Sequence, residues 1–260
     1  MSIKKWNDYK WQLIYGAHQE PNIHMALDQQ ITEEVNLGIR LPTLRIWEWD
    51  SSAVVLGRFQ SVKNEVNKLY ADKYNVKIVR RITGGGAMFI EPGNTITYSI
   101  SVPKELILNL TFQESYKFLD SWVVNSFKEL GVPVRYKPLN DIESENGQKI
   151  GGAAQARLSK AILHHTTIAY SIDQEKMTKI LRISKEKISD KGIESANKRV
   201  DNTTLTSTGL SRLEFIQSMI NHFSKMCHVE KIELDKKTIN LAKKISEEKF
   251  STESWINIVP

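Results

Sequence analysis

Arg80-Arg81-Ile82-Thr83-Gly84-Gly85-Gly86-Ala87-Met88-Phe89 sits between two runs that read as strands: Val76-Lys77-Ile78-Val79 ahead of it and Thr95-Ile96-Thr97-Tyr98-Ser99-Ile100-Ser101-Val102 behind it. Three consecutive glycines carry no side chains, so the backbone there can take positive φ and press close against a ligand. Successive N–H groups in such a stretch can converge on an anion, and two arginines stand immediately upstream to neutralise it. The loop is not a Walker A motif, because no Gly-Lys-Ser/Thr follows, and it does not open a helix in the GxGxxG manner. A glycine-rich turn between two strands accounts for the same residues without a ligand. On spacing alone both readings stand.

Outward from this loop, strand and helix patterns alternate. Downstream, Leu139-Asn140-Asp141-Ile142 starts a strand-like segment, Asn146-Gly147 is a two-residue hairpin signal, and Lys149-Ile150-Gly151-Gly152-Ala153-Ala154-Gln155 returns from it. A further apolar strand is expected over 165–172. In Thr95–Val102, Ile96, Tyr98, Ile100 and Val102 share one face while Thr and Ser share the other, which predicts an antiparallel strand with one wet face. Tyr116, Leu119, Trp122, Val123, Phe127 and Leu130 recur at helical spacing before Gly131 and Pro133, which predicts a helix over 112–130. Asp173 is placed to cap a helix through Leu181. Ser211-Arg212-Leu213-Glu214 is a capping box with Leu213, Ile216, Ile220 and Phe223 as the stripe behind it.

Upstream, Pro21-Asn22 reads as a helix start with Asn22 as N-cap, followed by Ile23, Leu27, Ile31 and Val35 every fourth residue and Gly38 as the stop. Leu44–Trp49 alternates like a half-buried strand, and Ala53–Leu56 is expected as its antiparallel neighbour across Asp50-Ser51-Ser52. Trp47 and Phe59 read most simply as core residues. Lys185–Lys198 is dense in charge and weak in period, which predicts a mobile surface segment, with a lid as the alternative. No repeat or linker divides the chain. Residues 1–260 are therefore expected to form one domain of α+β type, with a mixed, mostly antiparallel sheet flanked by helices.

A chain of 260 residues can bury a substantial core, and 40% hydrophobic with 25% charged residues is ordinary for a soluble globular protein. No apolar run approaches the roughly 20 residues needed to span a bilayer, and the N-terminus lacks an apolar signal core. The single cysteine, Cys227, rules out an internal disulfide and any Cys-x-x-Cys metal site. The cytoplasm is the expected location. A formal net charge of +6 suits nucleotide substrates and an acidic protein partner, although solubility alone is the simpler account, since Lys and Glu are interspersed along the helices. No basic run interleaved with aromatics points to nucleic acid.

Taken in order, the Arg-Arg-x-Thr-Gly-Gly-Gly-Ala stretch at 80–87, Asn140-Asp141-Ile142, Gly147-x-Lys149-Ile150-Gly151-Gly152-Ala153-Ala154-Gln155 and an apolar strand opened by His164-His165 resemble the lipoate–protein ligase family. The resemblance runs from about Trp11 to the end. It implies the biotin/lipoate protein ligase catalytic-domain fold, shared with octanoyltransferases. It also implies an ATP- and magnesium-dependent enzyme that activates lipoate or octanoate as acyl-AMP. The acyl group then passes to a lysine of a lipoyl-domain acceptor, an E2 subunit or a glycine cleavage H-like protein. By the same resemblance Lys149 is the catalytic residue. Arg80, Arg81, Thr83, Gly84, Gly85, Gly86, Ala87, Asn140, Asp141, Gly151, Gly152 and His165 line the acyl and nucleotide sites, with Gln155 a weaker candidate and Asp141 a candidate magnesium ligand. Gly57-Arg58-Phe59-Gln60 stands where the family has a similar Gly-aromatic-Gln turn, and an acyl-pocket role for Trp47 and Phe59 is the other reading of those two.

The chain departs from the family pattern at Ile90, where a histidine usually follows the alanine by three residues. It also leaves no room for the C-terminal domain that bacterial ligases of this type often carry. The resemblance thus points to the catalytic subunit of a two-chain ligase with a separate small partner. Two other functions compete. An octanoyltransferase of the same fold works through a covalent cysteine, and Cys227 is remote from every motif and reads as a packing residue. A non-catalytic acyl-binding subunit is the second, favoured by Ile90 and disfavoured by Lys149 and the arginines.

Overall fold

The computed structural model describes residues 4–182 and 203–259; the charged segment Lys185–Lys198 lies outside them. Helix α1 (Pro21–Asn36) opens with proline at its first position, where the missing N–H would have had no partner in any case. The N-cap is Glu20, not Asn22. The Asn22 amide instead reaches Ser246 Oγ at 2.9 Å and Ser251 Oγ at 2.6 Å, tying the helix to the C-terminal segment. Leu27, Ile31 and Val35 are buried as their spacing requires, but so are the polar His24, Asp28 and Thr32.

Eight strands form the main sheet, in the order β11 (His228–Lys231), β1 (Lys10–Gln19), β2 (Thr43–Trp49), β6 (Thr95–Pro103), β10 (Ala161–Ala169), β9 (Lys149–Arg157), β8 (Asp141–Ser144), β7 (Val134–Lys137). Only the β11–β1 and β1–β2 pairs are parallel, so the sheet is mixed and mostly antiparallel, as expected. A second sheet orders β4 (Lys77–Arg80), β3 (Ala53–Leu56), β5 (Met88–Ile90). The proposed β2–β3 hairpin therefore does not form: β3 pairs parallel with β4 and antiparallel with β5. Both edges of β2 are already taken, by β1 and β6.

Two further expectations fail for one reason, which is that α1 and the small sheet cover a face the sequence left polar. All of β2 is buried rather than half of it, with Arg45 paired to Asp28 at 2.6 Å and Glu48 to Arg212 at 2.5 Å. The Thr/Ser face of β6 is not wet. Ser101 Oγ lies 2.7 Å from Thr32 Oγ1, and Thr97 Oγ1 accepts from Trp49 Nε1 at 3.0 Å. Short hydroxyls satisfied by neighbours can be buried at small cost.

The opposite face packs against the helices Phe112–Glu129 and Arg212–Met226, the second opened by the Ser211/Glu214 capping box read from sequence and the first by a Thr111/Glu114 box that the structure adds. Tyr98, Trp122 and Phe223 meet edge-on, with ring centroids 4.9 and 5.2 Å apart. Leu213, placed in the stripe by its spacing, is exposed, and so is Phe59 at 79%; neither is a core residue. β10 begins at Ala161, earlier than the expected 165, because Leu158 and Ala161 close a tight β9–β10 turn. Asp173 caps Gln174–Ile180 as read. No helix among the described residues is long and apolar enough to cross a membrane.

Candidate active site

A cavity opens between the α1-covered face of the main sheet and the small sheet. Its apolar wall comes from Met25 of α1, Trp47 and Trp49 of β2, Val55 of β3 and Met88 of β5, and its polar end from Arg81, Asn140, Lys149 and His165. Trp47 and Trp49 face it because side chains alternate along β2, sending Leu44 and Ile46 into the opposite core. Gly86, Ala87, Gly152 and Ala154 supply stretches of wall without bulk.

Lys149 starts β9, and its Nζ lies 2.7 Å from Oδ1 of Asp141 on neighbouring β8. Asp141 stands opposite Gly152 in the β8–β9 register, and the lysine folds over that glycine. A Cβ at position 152 would sit 2.9 Å from Nζ and 3.1 Å from Cε of Lys149, so the glycine leaves the space the ammonium occupies. Gly151 serves packing instead: a Cβ there would meet the Thr167 carbonyl oxygen at 3.0 Å. Asn140 is pinned to β9 by Nδ2 donating to the Ala153 oxygen at 2.6 Å. The pairing thus holds the Lys149 ammonium at the polar end of the cavity, facing the apolar wall.

The glycine stretch is a loop held from behind. Arg81 donates through Nη2 to the carbonyls of Gly84 at 2.6 Å and Gly86 at 2.9 Å, through Nη1 to Val55 at 2.9 Å, and through Nε to Thr83 Oγ1 at 2.8 Å. Burial pushes the Arg81 guanidinium down to about 10, so it stays charged at neutral pH. Arg80 points elsewhere. Its guanidinium binds the carbonyls of Gly57 at 2.7 Å and Ile256 at 2.6 and 2.9 Å, fastening the C-terminal turn Glu253–Ile256 to the strand that feeds the loop. Gly85 takes φ +87°, a conformation glycine alone adopts without strain.

Behind Thr83 runs a chain of buried polar groups. Thr83 Oγ1 is 2.7 Å from His165 Nε2, His165 Nδ1 is 2.8 Å from Asp28 Oδ2, and Asp28 Oδ1 accepts from Arg45 at 2.6 Å. Arg45 also meets His24 Nδ1 at 3.0 Å, and His24 Nε2 lies 2.8 Å from the Glu48 carbonyl. Burial lowers the His165 pKa, against the pull of Asp28 and with the help of Arg81 and His164. Burial and Arg45 hold His24 well below the ordinary histidine range. For Asp28, burial raises the pKa, but Arg45 and His165 outweigh it and keep the carboxyl below the usual range.

A pH dependence follows from these shifts. Both histidines are neutral in the fold and take up protons below about pH 6.5 when unfolded, so their contribution is complete above that pH and is lost as pH falls toward the lowered native pKa. The depressed Asp28 acts with the same sign at more acid pH. The charged groups around His165 are Asp28 and Arg81, with Arg45 behind Asp28 and Lys149 on the same cavity. The urea midpoint is expected to drop steadily between about pH 7 and about pH 5; a flat profile would mean that the histidines take up protons as readily in the native state as in the unfolded one.

Of the residues singled out in sequence, Arg81, Gly86, Ala87, Asn140, Lys149, Gly152 and His165 line the cavity. Gly85 lies on the outer side of the loop with Phe59, while Arg80, Thr83 and Gly151 act behind the walls. Gln155 faces the other side of the sheet, where it meets His164 and Ser115. Ile90 is fully buried in β5 and off the cavity wall, and Glu91 after it turns to Lys176 and the Asp173 N–H. Cys227 ends the helix Arg212–Met226, its thiol pushed up to about 12 by burial. Sequence reading missed Met25, Trp49, Met88, Thr97, Thr167 and the Asp28–Arg45 pair. Asp28 directly follows a stripe residue, Leu27, and a charge there reads as solvated unless its partner is known.

A family model described as the lipoyl protein ligase A/B catalytic domain matches residues 20–224. A probable lipoate-protein ligase A of Mycoplasma pneumoniae is 32% identical over 95% of this chain and 71% of its own length. An octanoyltransferase LipM of Exiguobacterium sp. is 31% identical over 64% of this chain and 67% of its own length. Among solved structures, a bipartite lipoate protein ligase of Thermoplasma acidophilum, described with its E2 lipoyl domain, superposes with TM-score 0.82 at 27% identity, covering 97% of this chain and 98% of that one. The family model spans the glycine loop and the strands β2 to β10, and the chain belongs to the lipoyl protein ligase A/B catalytic domain family.

Proposed function

We propose that this chain is the catalytic subunit of an ATP-dependent lipoate–protein ligase, which activates lipoate or octanoate as acyl-AMP and passes the acyl group to a lysine of a lipoyl domain. The observation that supports this most is Lys149, held by Asp141 at 2.7 Å beside an apolar cavity, with Gly152 leaving room for its ammonium. The acyl chain lies against Trp47, Trp49, Met25 and Met88. The carboxylate attacks the α-phosphorus of ATP, and the bond to the pyrophosphate oxygen breaks. Two anions meet in that step, so the site supplies charge neutralisation and alignment rather than a nucleophile. The acceptor lysine then attacks the acyl carbonyl and AMP leaves, with Lys149 stabilising the oxyanion.

Magnesium suits this donor set, since it takes most ligands from phosphate oxygens and water and needs only one or two carboxylates, here Asp141. Bound there it would neutralise the triphosphate. The E2 lipoyl domain described with the T. acidophilum ligase motivates the same class of acceptor here, and the bipartite make-up of that enzyme motivates a separate small subunit. The chain alone is expected to transfer the acyl group from preformed lipoyl-AMP but to form that adenylate slowly. Full-rate adenylation by the purified chain would remove the subunit from this scheme.

The LipM relative favours a second reading, acyl transfer from a thioester through cysteine. That route needs an accessible thiolate. Cys227 is buried, donates to the Phe223 carbonyl at 3.3 Å and is not on the cavity wall. Cys227→Ser is therefore expected to keep activity within a few-fold of the parent. The deciding experiment incubates the chain with ATP, magnesium and lipoate or octanoate, with and without a lipoyl domain, and follows acyl-AMP and acylated lysine by mass. A parallel mixture offers an octanoyl thioester of a carrier protein and no ATP; transfer of its acyl group to the Cys227 sulfur, with release of the carrier thiol, would make the chain an acyltransferase.

A further inference from the structure

Hydrogen by hydrogen, the buried chain behind the loop has one consistent assignment. A guanidinium only donates, so Thr83 Oγ1 accepts from Arg81 Nε at 2.8 Å. A neutral His165 gives its one N–H to the Asp28 carboxylate, so Nε2 is bare and accepts the threonine hydroxyl's hydrogen at 2.7 Å. His165 carries its proton on Nδ1 and donates it to Asp28 Oδ2 at 2.8 Å. The other Asp28 oxygen accepts from Arg45 at 2.6 Å, which leaves the carboxylate oriented along both bonds. Arg81, at the far end, holds the carbonyls of Gly84 and Gly86.

We infer that Asp28 is a positioning residue for the glycine loop, acting through the tautomer of His165. Were His165 protonated on Nε2 instead, its N–H would meet the Thr83 oxygen, and the hydroxyl hydrogen would lose its acceptor. Arg81 and the loop carbonyls it holds would then lose the order that one fixed tautomer gives them. A carboxylate on α1 thus sets the course of backbone on the far side of the cavity. The inference deepens the ligase reading in its kinetic consequences but makes a structural claim that the ligand-free chain can test.

The experiment uses the full chain with labelled histidine. In the parent at neutral pH, nitrogen shifts should show His165 protonated on Nδ1 and bare on Nε2. Thr83→Val, which leaves Asp28, Arg45 and His165 in place, should raise amide exchange at Arg58, whose N–H donates to the Thr83 carbonyl at 2.8 Å, by roughly tenfold, the scale of one lost hydrogen bond, with β6 amides unchanged. Thr83→Ser should restore the parent rate. Asp28→Asn should lose the single tautomer and loosen the same amide; if it does not fold, the parent's own tautomer decides, Nδ1–H supporting the inference and Nε2–H overturning it. In adenylate formation, Thr83→Val should lower kcat while Thr83→Ser keeps it. An Nε2–H tautomer in the parent, or Arg58 exchange indifferent to Thr83→Val, overturns the inference. A parent chain that makes no adenylate yet shows the tautomer and the exchange response overturns the ligase reading instead.

Discussion

Lys149→Ala is expected to slow acyl-adenylate formation by on the order of 100-fold or more, the scale seen when one preorganised charge-stabilising donor is deleted. In the proposed mechanism the lysine meets charge that develops as carboxylate and phosphate join, so the rate should fall further than lipoate affinity. The variant removes the Lys149 ammonium 2.7 Å from Asp141, but the sheet pairing of β8 with β9 is main-chain. Folding is therefore expected to survive. Lys149→Arg should rescue only in part, because Gly152 clears room for a compact ammonium 2.9 Å from where a Cβ would be, not for a planar guanidinium. Lys160, exposed in the β9–β10 turn, is the control, and its alanine variant should be near neutral. Single-turnover formation of acyl-AMP measures all three. Equal loss in the two alanine variants, or no loss in either, would take the catalytic role away from Lys149.

Gly57→Ala is expected to be nearly as damaging, although the residue touches no substrate. A Cβ there would lie 2.1 Å from the Gly85 oxygen and 3.2 Å from the Gly84 carbonyl carbon. Both neighbours are backbone, so one segment must move. Gly57 is clamped by its N–H to Gln60 Oε1 at 2.9 Å and by its carbonyl to buried Arg80 at 2.7 Å. The exposed glycine loop is the side that yields. Displacing it by about an ångström should cost roughly 100-fold in adenylate formation, with about 1–3 kcal/mol of destabilisation from overpacking. Rate and thermal midpoint measured on the same protein separate the two effects. Parent-like kinetics would mean that the loop's position beside Gly57 is not needed for the reaction.

What the sequence determined by itself is local. Helical spacing, with the Gly131/Pro133 stop for one helix and the Ser211/Glu214 box for the other, located two helices to within a residue or two, because caps and periods are read within one turn. The same is true of the Asn146-Gly147 turn, where Gly147 takes φ +76°, and of the glycine run flanked by arginines. The motif order, not any single motif, pointed to the family.

Only the tertiary structure decided which of two like neighbours does what. Arg80 and Arg81 are adjacent and identical in sequence, yet one fastens the C-terminal turn and the other the glycine loop, since successive side chains leave an extended backbone on opposite sides. His164 and His165 part in the same way, toward Asp120 at 2.7 Å and Asp28 at 2.8 Å. The buried Thr/Ser face of β6 and the fully covered β2 look half-exposed in sequence because α1 and the small sheet arrive from elsewhere in the chain. Asp28 and Arg45 each look like surface charges until the fold brings them within 2.6 Å, where pairing makes their burial tolerable.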